Sequence, residues 1–505
     1  AINRDLLEWY HMLTRENVFI RSESDYDKLL RYLDPQYMDE NLIQQLKKYI
    51  GLQSKLVSIE FPYYENDYLS SYYIFYAKKL QKFPKECYRL LFYADRSART
   101  LMGYITLRPT YEGRHLGKIY FEPQYLVKEK VNLILGDCKC HIGGSESILK
   151  LFPHMKQEGD VAVCAHVATW SVLRSFASRF HRYPELTLGR IVEMVSPESE
   201  RMIPSRGLTA FQISQVFLDA GFSPVVLFND ERNPRLIREA MISYVASGIP
   251  VVAVLTNRNH AISIVGLGEA KPQHGADLEE RVKSYCTYES YWEDGNEVRT
   301  NVVLSSRFYN SIVVNDDNYF PYALAHMKRP PQDADDDDTI PYTIPEIDRL
   351  IIPLYSRIQL SYEDIRTIFL RMVSTYQENW GGPIVGRIFL ASANTYREYI
   401  NEIDDTANPS LKLIKPLLIS LEMPRFIWCV EASSVEHYQQ ENPVVDGLVI
   451  YDSTSATINP EPFLFLAFPN GVIRLKTNSE VIECQEENGC SLAMPPFNKN
   501  LVEVN

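Results

Sequence analysis

Residues 157–173, QEGDVAVCAHVATWSVL, set the frame for the chain. The apolar run Val161-Ala162-Val163 leads straight into Cys164, after which Val167, Trp170, Leu173, Ala177 and Phe180 recur at three- and four-residue spacing. That period predicts a helix running to about Phe180 with Cys164 in its first turn. A thiol so placed feels the partial positive charge of unpaired backbone N–H groups, which favours the nucleophilic thiolate. A cysteine that only fills space in a core has no need of the position. His166, two residues further on, points to a different face of the helix and is read as structural.

Downstream the pattern gives helices over 210–220 and 234–246, ended by Gly221 and Gly248, and then strands over 250–255, 261–265 and 311–314. His260 stands at the head of the second strand, where an imidazole can take a proton from a thiol and return it to a leaving group. Asn315-Asp316-Asp317-Asn318 follows the third, and a carboxylate there can orient the imidazole and fix its tautomer. Side chains alternate faces along a strand, so only one of Asp316 and Asp317 is expected to face His260.

The order of Cys at a helix start, His at the head of an HAxxxxG strand (260–266) and an acid after a later strand resembles the papain-like cysteine peptidases. It is most similar to the bacterial branch that cleaves double-glycine leaders, whose helix, glycine and apolar strand before the His resemble residues 238–254. The resemblance covers about 146–330. It implies a papain-like catalytic domain in which Cys164 attacks, His260 is base and then acid, Asp316 orients His260, and Gln157 joins the Cys164 N–H in an oxyanion hole. The sequence departs from the family in that Gln157 lies one residue further from Cys164 than is usual, and Ala165 stands where many relatives have Gly or Trp. Two adjacent acids also leave the orienter open between Asp316 and Asp317. The implied reaction is cleavage of a peptide or isopeptide bond through an acyl-enzyme thioester, and acyl transfer or deamidation would use the same route. The alternative of another class is a catalytically silent papain-like scaffold in a bacterial assembly.

At 505 residues the chain exceeds what one core supports. The run DADDDD at 333–338, flanked by Pro330-Pro331 and Pro341, combines self-repelling charge with helix breakers and reads as a linker. The expected organisation is multidomain α+β: an N-terminal accessory domain over 1–145, the catalytic domain over 146–330, the linker over 331–343 and a C-terminal accessory domain over 344–505. In the first, helices are predicted over 3–13, 39–50 and 68–80 and strands over 56–61, 88–93, 101–107 and 118–121. In the last, a helix is predicted over 362–377 and strands over 385–391, 425–431, 447–451 and 462–468. Neither flanking region resembles a known family, and both are read as surfaces for a protein partner.

Fifty-two Lys and Arg against 65 Asp and Glu leave a net charge of −13, which argues against a broad nucleic-acid footprint. No apolar run approaches the roughly 20 residues of a membrane span, and the opening AINRDLLEWYHML reads as an amphipathic helix rather than a leader. Eight cysteines are too few for a disulfide scaffold, so a reducing, cytoplasmic setting is expected. No cofactor or metal is expected. Cys138-Lys139-Cys140-His141 groups soft ligands, yet no second half-site follows. The tyrosine-rich stretch over 61–76 is interrupted by Glu65 and Asp67 and lacks Lys and Arg, so it reads as packing rather than a base-stacking platform.

Overall fold

The computed structural model describes residues 14–38, 41–110, 114–195, 207–229, 235–270, 289–293, 296–328, 340–376, 378, 380–406, 408–456, 459, 461–470, 472–476, 481–485 and 492–504. The helix predicted over 3–13 and the acidic run at 333–338 lie outside them. The chain is α+β, and the described residues form three large sheets.

The N-terminal sheet is an antiparallel meander in chain order: Thr14–Phe19, Leu56–Tyr63, Cys87–Tyr93, Leu101–Leu107 and Leu116–Phe121. Its middle strand, Cys87–Tyr93, is buried at every position. Leu90 and Phe92 pack into one core with Leu42 and Leu46 of the helix Leu42–Tyr49, while Leu91 and Tyr93 enter the main core. This is the two-residue alternation of a strand covered on both faces.

The central sheet runs Ala323–His326, Ser311–Asn315, His260–Gly268, Val251–Leu255, Arg349–Tyr355, Phe222–Phe228, with every pairing antiparallel. The helix Cys164–Arg179 packs on the strand His260–Gly268, and the Ser263 hydroxyl donates to Ala168 O across 3.2 Å. The C-terminal sheet has seven strands, with the helices Ala393–Glu402 and Pro409–Ser420 over one face.

Strands cross the expected domain limits at 145, 330 and 344, which therefore cut through sheets rather than between them. Val131–Leu133 pairs with the far end of His260–Gly268, and Val502–Val504 pairs with Val131–Leu133. Val302–Leu304 lies parallel to Ile384–Ser392 of the C-terminal sheet. Arg349–Tyr355, placed by sequence in the C-terminal domain, sits inside the central sheet. Leu91, Trp170, Val252, Leu350 and Trp428 accordingly share one continuous core.

The physical reason is that charge and proline content report only local stiffness, whereas a strand buried on both faces is placed by its long-range partners. Leu350 to Leu354 are all buried. Pro353 stands opposite Pro224 and is tolerated there. Phe222–Phe228 is an edge strand, and the ladder to Val251–Leu255 ends at Ile351, so neither missing N–H interrupts a full ladder.

Candidate active site

Cys164 is the first residue of the helix Cys164–Arg179. Val163, at the N-cap, offers no side-chain acceptor, and while the His166 N–H turns back to Val163 O at 2.9 Å, the Cys164 N–H at the head of the helix has no partner within the helix. The helix is buried on almost every side. Trp170 donates its Nε1–H to Asp67 Oδ1 across 2.9 Å, and Lys118 Nζ lies 2.6 Å from both Glu65 Oε1 and Asp67 Oδ2. Glu65 and Asp67, which break the tyrosine-rich stretch, thus anchor the N-terminal sheet to the Cys164 helix.

His260 is set by a tight turn. Thr256–Arg258 forms a single 3-10 turn, Asn259 takes the left-handed conformation at φ 51°, and His260 returns opposite Leu255 in the register of the adjacent strand. Asparagine is among the few residues that accept that conformation readily. The imidazole lies near enough to the Cys164 side chain to interact with it electrostatically, and its Nε2 lies 3.0 Å from Asp316 Oδ1. The carboxylate oxygen lies off the Nε2–H axis, so this contact is more an ion pair than a linear hydrogen bond. Burial opposes charge on the ring, but its interactions with Asp316 and Cys164 outweigh it and raise the pKa to about 10.

The strand Ser311–Asn315 stops one residue before the acids. Face alternation therefore does not extend to them, and both lie near the imidazole: Asp317 Oδ1 is 4.0 Å from Nε2. This corrects the expectation that only one acid faces His260. The two differ in their partners. Asp316 accepts from Asn318 N at 2.9 Å, Asn318 Nδ2 at 3.1 Å and the Tyr342 hydroxyl at 2.9 Å. Burial works against its ionisation, and His260, Asn318 and Tyr342 together hold its pKa below the usual carboxylate value. Asp317 is buried with no hydrogen-bond partner for either oxygen among the described residues. Burial and the neighbouring Asp316 charge push its pKa to about 7.

Gln157 reaches the cluster through Asn318, its Nε2 lying 3.5 Å from Asn318 Oδ1. The loop carrying it is folded back on itself, with the N–H groups of Glu158 and Gly159 donating to Ala162 O at 3.2 and 3.0 Å. Gly159 has φ +87°, a conformation that residues other than glycine rarely adopt, so this turn favours glycine. Arg108, wholly buried at the end of Leu101–Leu107, holds the loop from behind. It donates to Leu116 O at 2.7 Å, Lys156 O at 3.0 Å and Gln157 O at 3.4 Å, and lies 3.3 Å from Glu158.

Cys164, His260 and Asp316 are thus gathered at one place, with Gln157 attached through Asn318. Tyr342, Asn318 and Arg108 were not legible as parts of it. Tyr342 carried one available signal, a tyrosine at the end of the linker and ahead of a dense apolar run. His166 is buried, and burial lowers its pKa to about 4, in keeping with a structural role. Cys138 and Cys140 face the core from the hairpin strand Gly136–Ile142, while His141 is exposed, so the three do not converge. No helix among the described residues is long and apolar enough to cross a membrane. No family model, curated protein or solved structure matches the chain.

Proposed function

We propose that the chain is a cysteine hydrolase of papain-like design acting on a peptide or isopeptide amide. The observation that carries this reading is the gathering of Cys164, at the head of its helix, and Asp316 around the one imidazole of His260. A helix bearing the thiol, packed on an antiparallel sheet bearing the imidazole and followed by the carboxylate, is the arrangement such chemistry needs. Access fits as well. Cys164 is partly exposed, whereas Cys87, Cys138, Cys140 and Cys429 are buried.

In this mechanism His260 takes the Cys164 proton and the thiolate attacks the substrate carbonyl. The oxyanion is stabilised by the Cys164 N–H and the Gln157 amide, the latter swinging from Asn318 toward substrate. His260 then passes the proton to the leaving amine, which breaks the C–N bond and leaves a thioester. Water, deprotonated by the same imidazole, resolves the thioester and regenerates the thiol. Asp316 keeps the ring oriented throughout, itself fixed by Asn318 and Tyr342. A reducing, cytoplasmic compartment suits a free thiol nucleophile.

The test is the rate of Cys164 alkylation by iodoacetamide at pH 6, followed by mass spectrometry in the intact chain and in His260→Ala. Rapid modification that falls about a hundredfold or more without the imidazole is expected, since an unassisted thiol is almost fully protonated at that pH. A rate that His260→Ala leaves unchanged sinks the hydrolase reading.

A further inference from the structure

We propose that His260, Asp316 and Asp317 form a binding site for a divalent first-row transition-metal ion, of which Zn²⁺ is the probe of choice. The site uses residues of the candidate active site, but the binding itself does not rest on the hydrolase reading.

One ligand atom from each residue lies within 4.8 Å of the other two. Nε2 is 3.0 Å from Asp316 Oδ1 and 4.0 Å from Asp317 Oδ1. Metal–ligand bonds of about 2.0–2.2 Å on a tetrahedron separate ligand atoms by roughly 3.3–3.6 Å, so Asp317 would move inward and Asp316 outward, each by roughly half an ångström relative to Nε2. The independent observation is Asp317 itself. It is 5% exposed, and neither carboxylate oxygen has a hydrogen-bond partner among the described residues, although Oδ1 points toward the imidazole. A carboxylate removed from water without a partner is costly, and a cation would supply the missing interaction.

The donor set selects the class of ion. One imidazole and two carboxylates suit Zn²⁺ and its neighbours, whereas Mg²⁺ prefers an all-oxygen octahedron. Asn318 and Tyr342, which bond Asp316, would orient that ligand from behind, as outer partners do in metal sites. Three protein ligands also leave a coordination position for water or an added ligand. Occupancy has a consequence for the proposed chemistry. Nε2 would hold the metal instead of a proton, and the remaining Nδ1–H could not be surrendered without forming an imidazolate. The cation and the proton relay therefore exclude one another.

The test titrates ZnCl₂ calorimetrically into the full chain carrying Cys164→Ala, which removes the thiol as a ligand, and into the same chain with Asp317→Asn added. Stoichiometric binding weakened at least about tenfold by the second substitution is expected, with MgCl₂ at equal concentration failing to compete. Equal affinity in the two chains, both shown to be folded by their thermal midpoints in EDTA, overturns the site. If Asp317→Asn does not fold, His260→Ala gives the same comparison, and undiminished binding there overturns it equally. Hydrolysis of p-nitrophenyl acetate by the unsubstituted chain separates this inference from the functional one. Turnover suppressed by ZnCl₂ and restored by EDTA supports both, whereas tight zinc binding in a chain with no turnover keeps the metal site and removes the hydrolase.

Discussion

The Tyr342 hydroxyl donates to Asp316 Oδ2 across 2.9 Å, behind the oxygen that faces the imidazole. Tyr342 lies just beyond the acidic run, so the segment that sequence marks as a linker delivers a group to the site. A hydrogen bond to a charged acceptor contributes about 1.5–3 kcal/mol. Tyr342→Phe is therefore expected to slow Cys164 alkylation about tenfold and to lower the thermal midpoint by no more than a few degrees. An unchanged rate would show that Asn318 alone suffices to hold Asp316.

Asp316 and Asp317 are adjacent and both near Nε2, yet only Asp316 has a full set of hydrogen-bond donors. Asp316→Asn should reduce the alkylation rate by about ten- to a hundredfold, approaching the loss of the imidazole itself. Asp317→Asn should cost at least about tenfold less by the same measure. The reverse ranking would transfer the orienting role to Asp317.

His154 and His166 supply a pH dependence of stability unconnected with catalysis. Burial lowers their pKa values to about 3 and about 4 from 6.5. Above pH 6.5 both are neutral in the folded and unfolded chain, and no stability is lost. As pH falls below 6.5 the unfolded chain takes up protons that the folded chain refuses, so stability declines. At one pKa unit per about 1.36 kcal/mol, each histidine should remove on the order of 2–3 kcal/mol by pH 4.5. Urea unfolding between pH 7 and 4.5 reads this directly, and His166→Leu should flatten the curve. Identical slopes in the two chains would mean that His166 is charged inside the fold.

Proteolysis within 329–339 should nick the chain without separating its parts. Arg349–Tyr355 pairs on both sides inside the central sheet, and Val302–Leu304 pairs into the C-terminal one, so strands cross the cut in both directions. The two fragments are expected to co-elute on size exclusion under native conditions and to part only in denaturant. Independent elution in buffer would restore the picture of two autonomous halves.

What sequence made legible is what local pattern encodes. The helix after Cys164, the strand Val251–Leu255 and the strand Leu101–Leu107 fall within a residue or so of their predicted limits, since each carries its own periodicity and its own stop signal. His260 was placed at a strand head because a run of β-branched residues follows it. The contacts that complete the site were hidden for a different reason. Tyr342 meets Asp316, and Arg108 meets the Gln157 loop, through sheet pairings between segments far apart in the chain. No local signal reports such pairings. The alternation rule failed at Asp317 because it holds only while the strand lasts, and the strand ends at Asn315.

The insertion of Arg349–Tyr355 into the middle of the central sheet also sets an order of events at the ribosome. Leu255 is made 100 residues before Tyr355. At synthesis rates of about 5–20 residues per second, the strands Val251–Leu255 and Phe222–Phe228 spend roughly 5–20 s as facing, unpaired edges with nothing yet made to fill the gap. Open apolar edges of that kind are templates for pairing with other chains. The nascent protein accordingly has a built-in interval of aggregation risk that only the segment beyond the acidic run brings to a close.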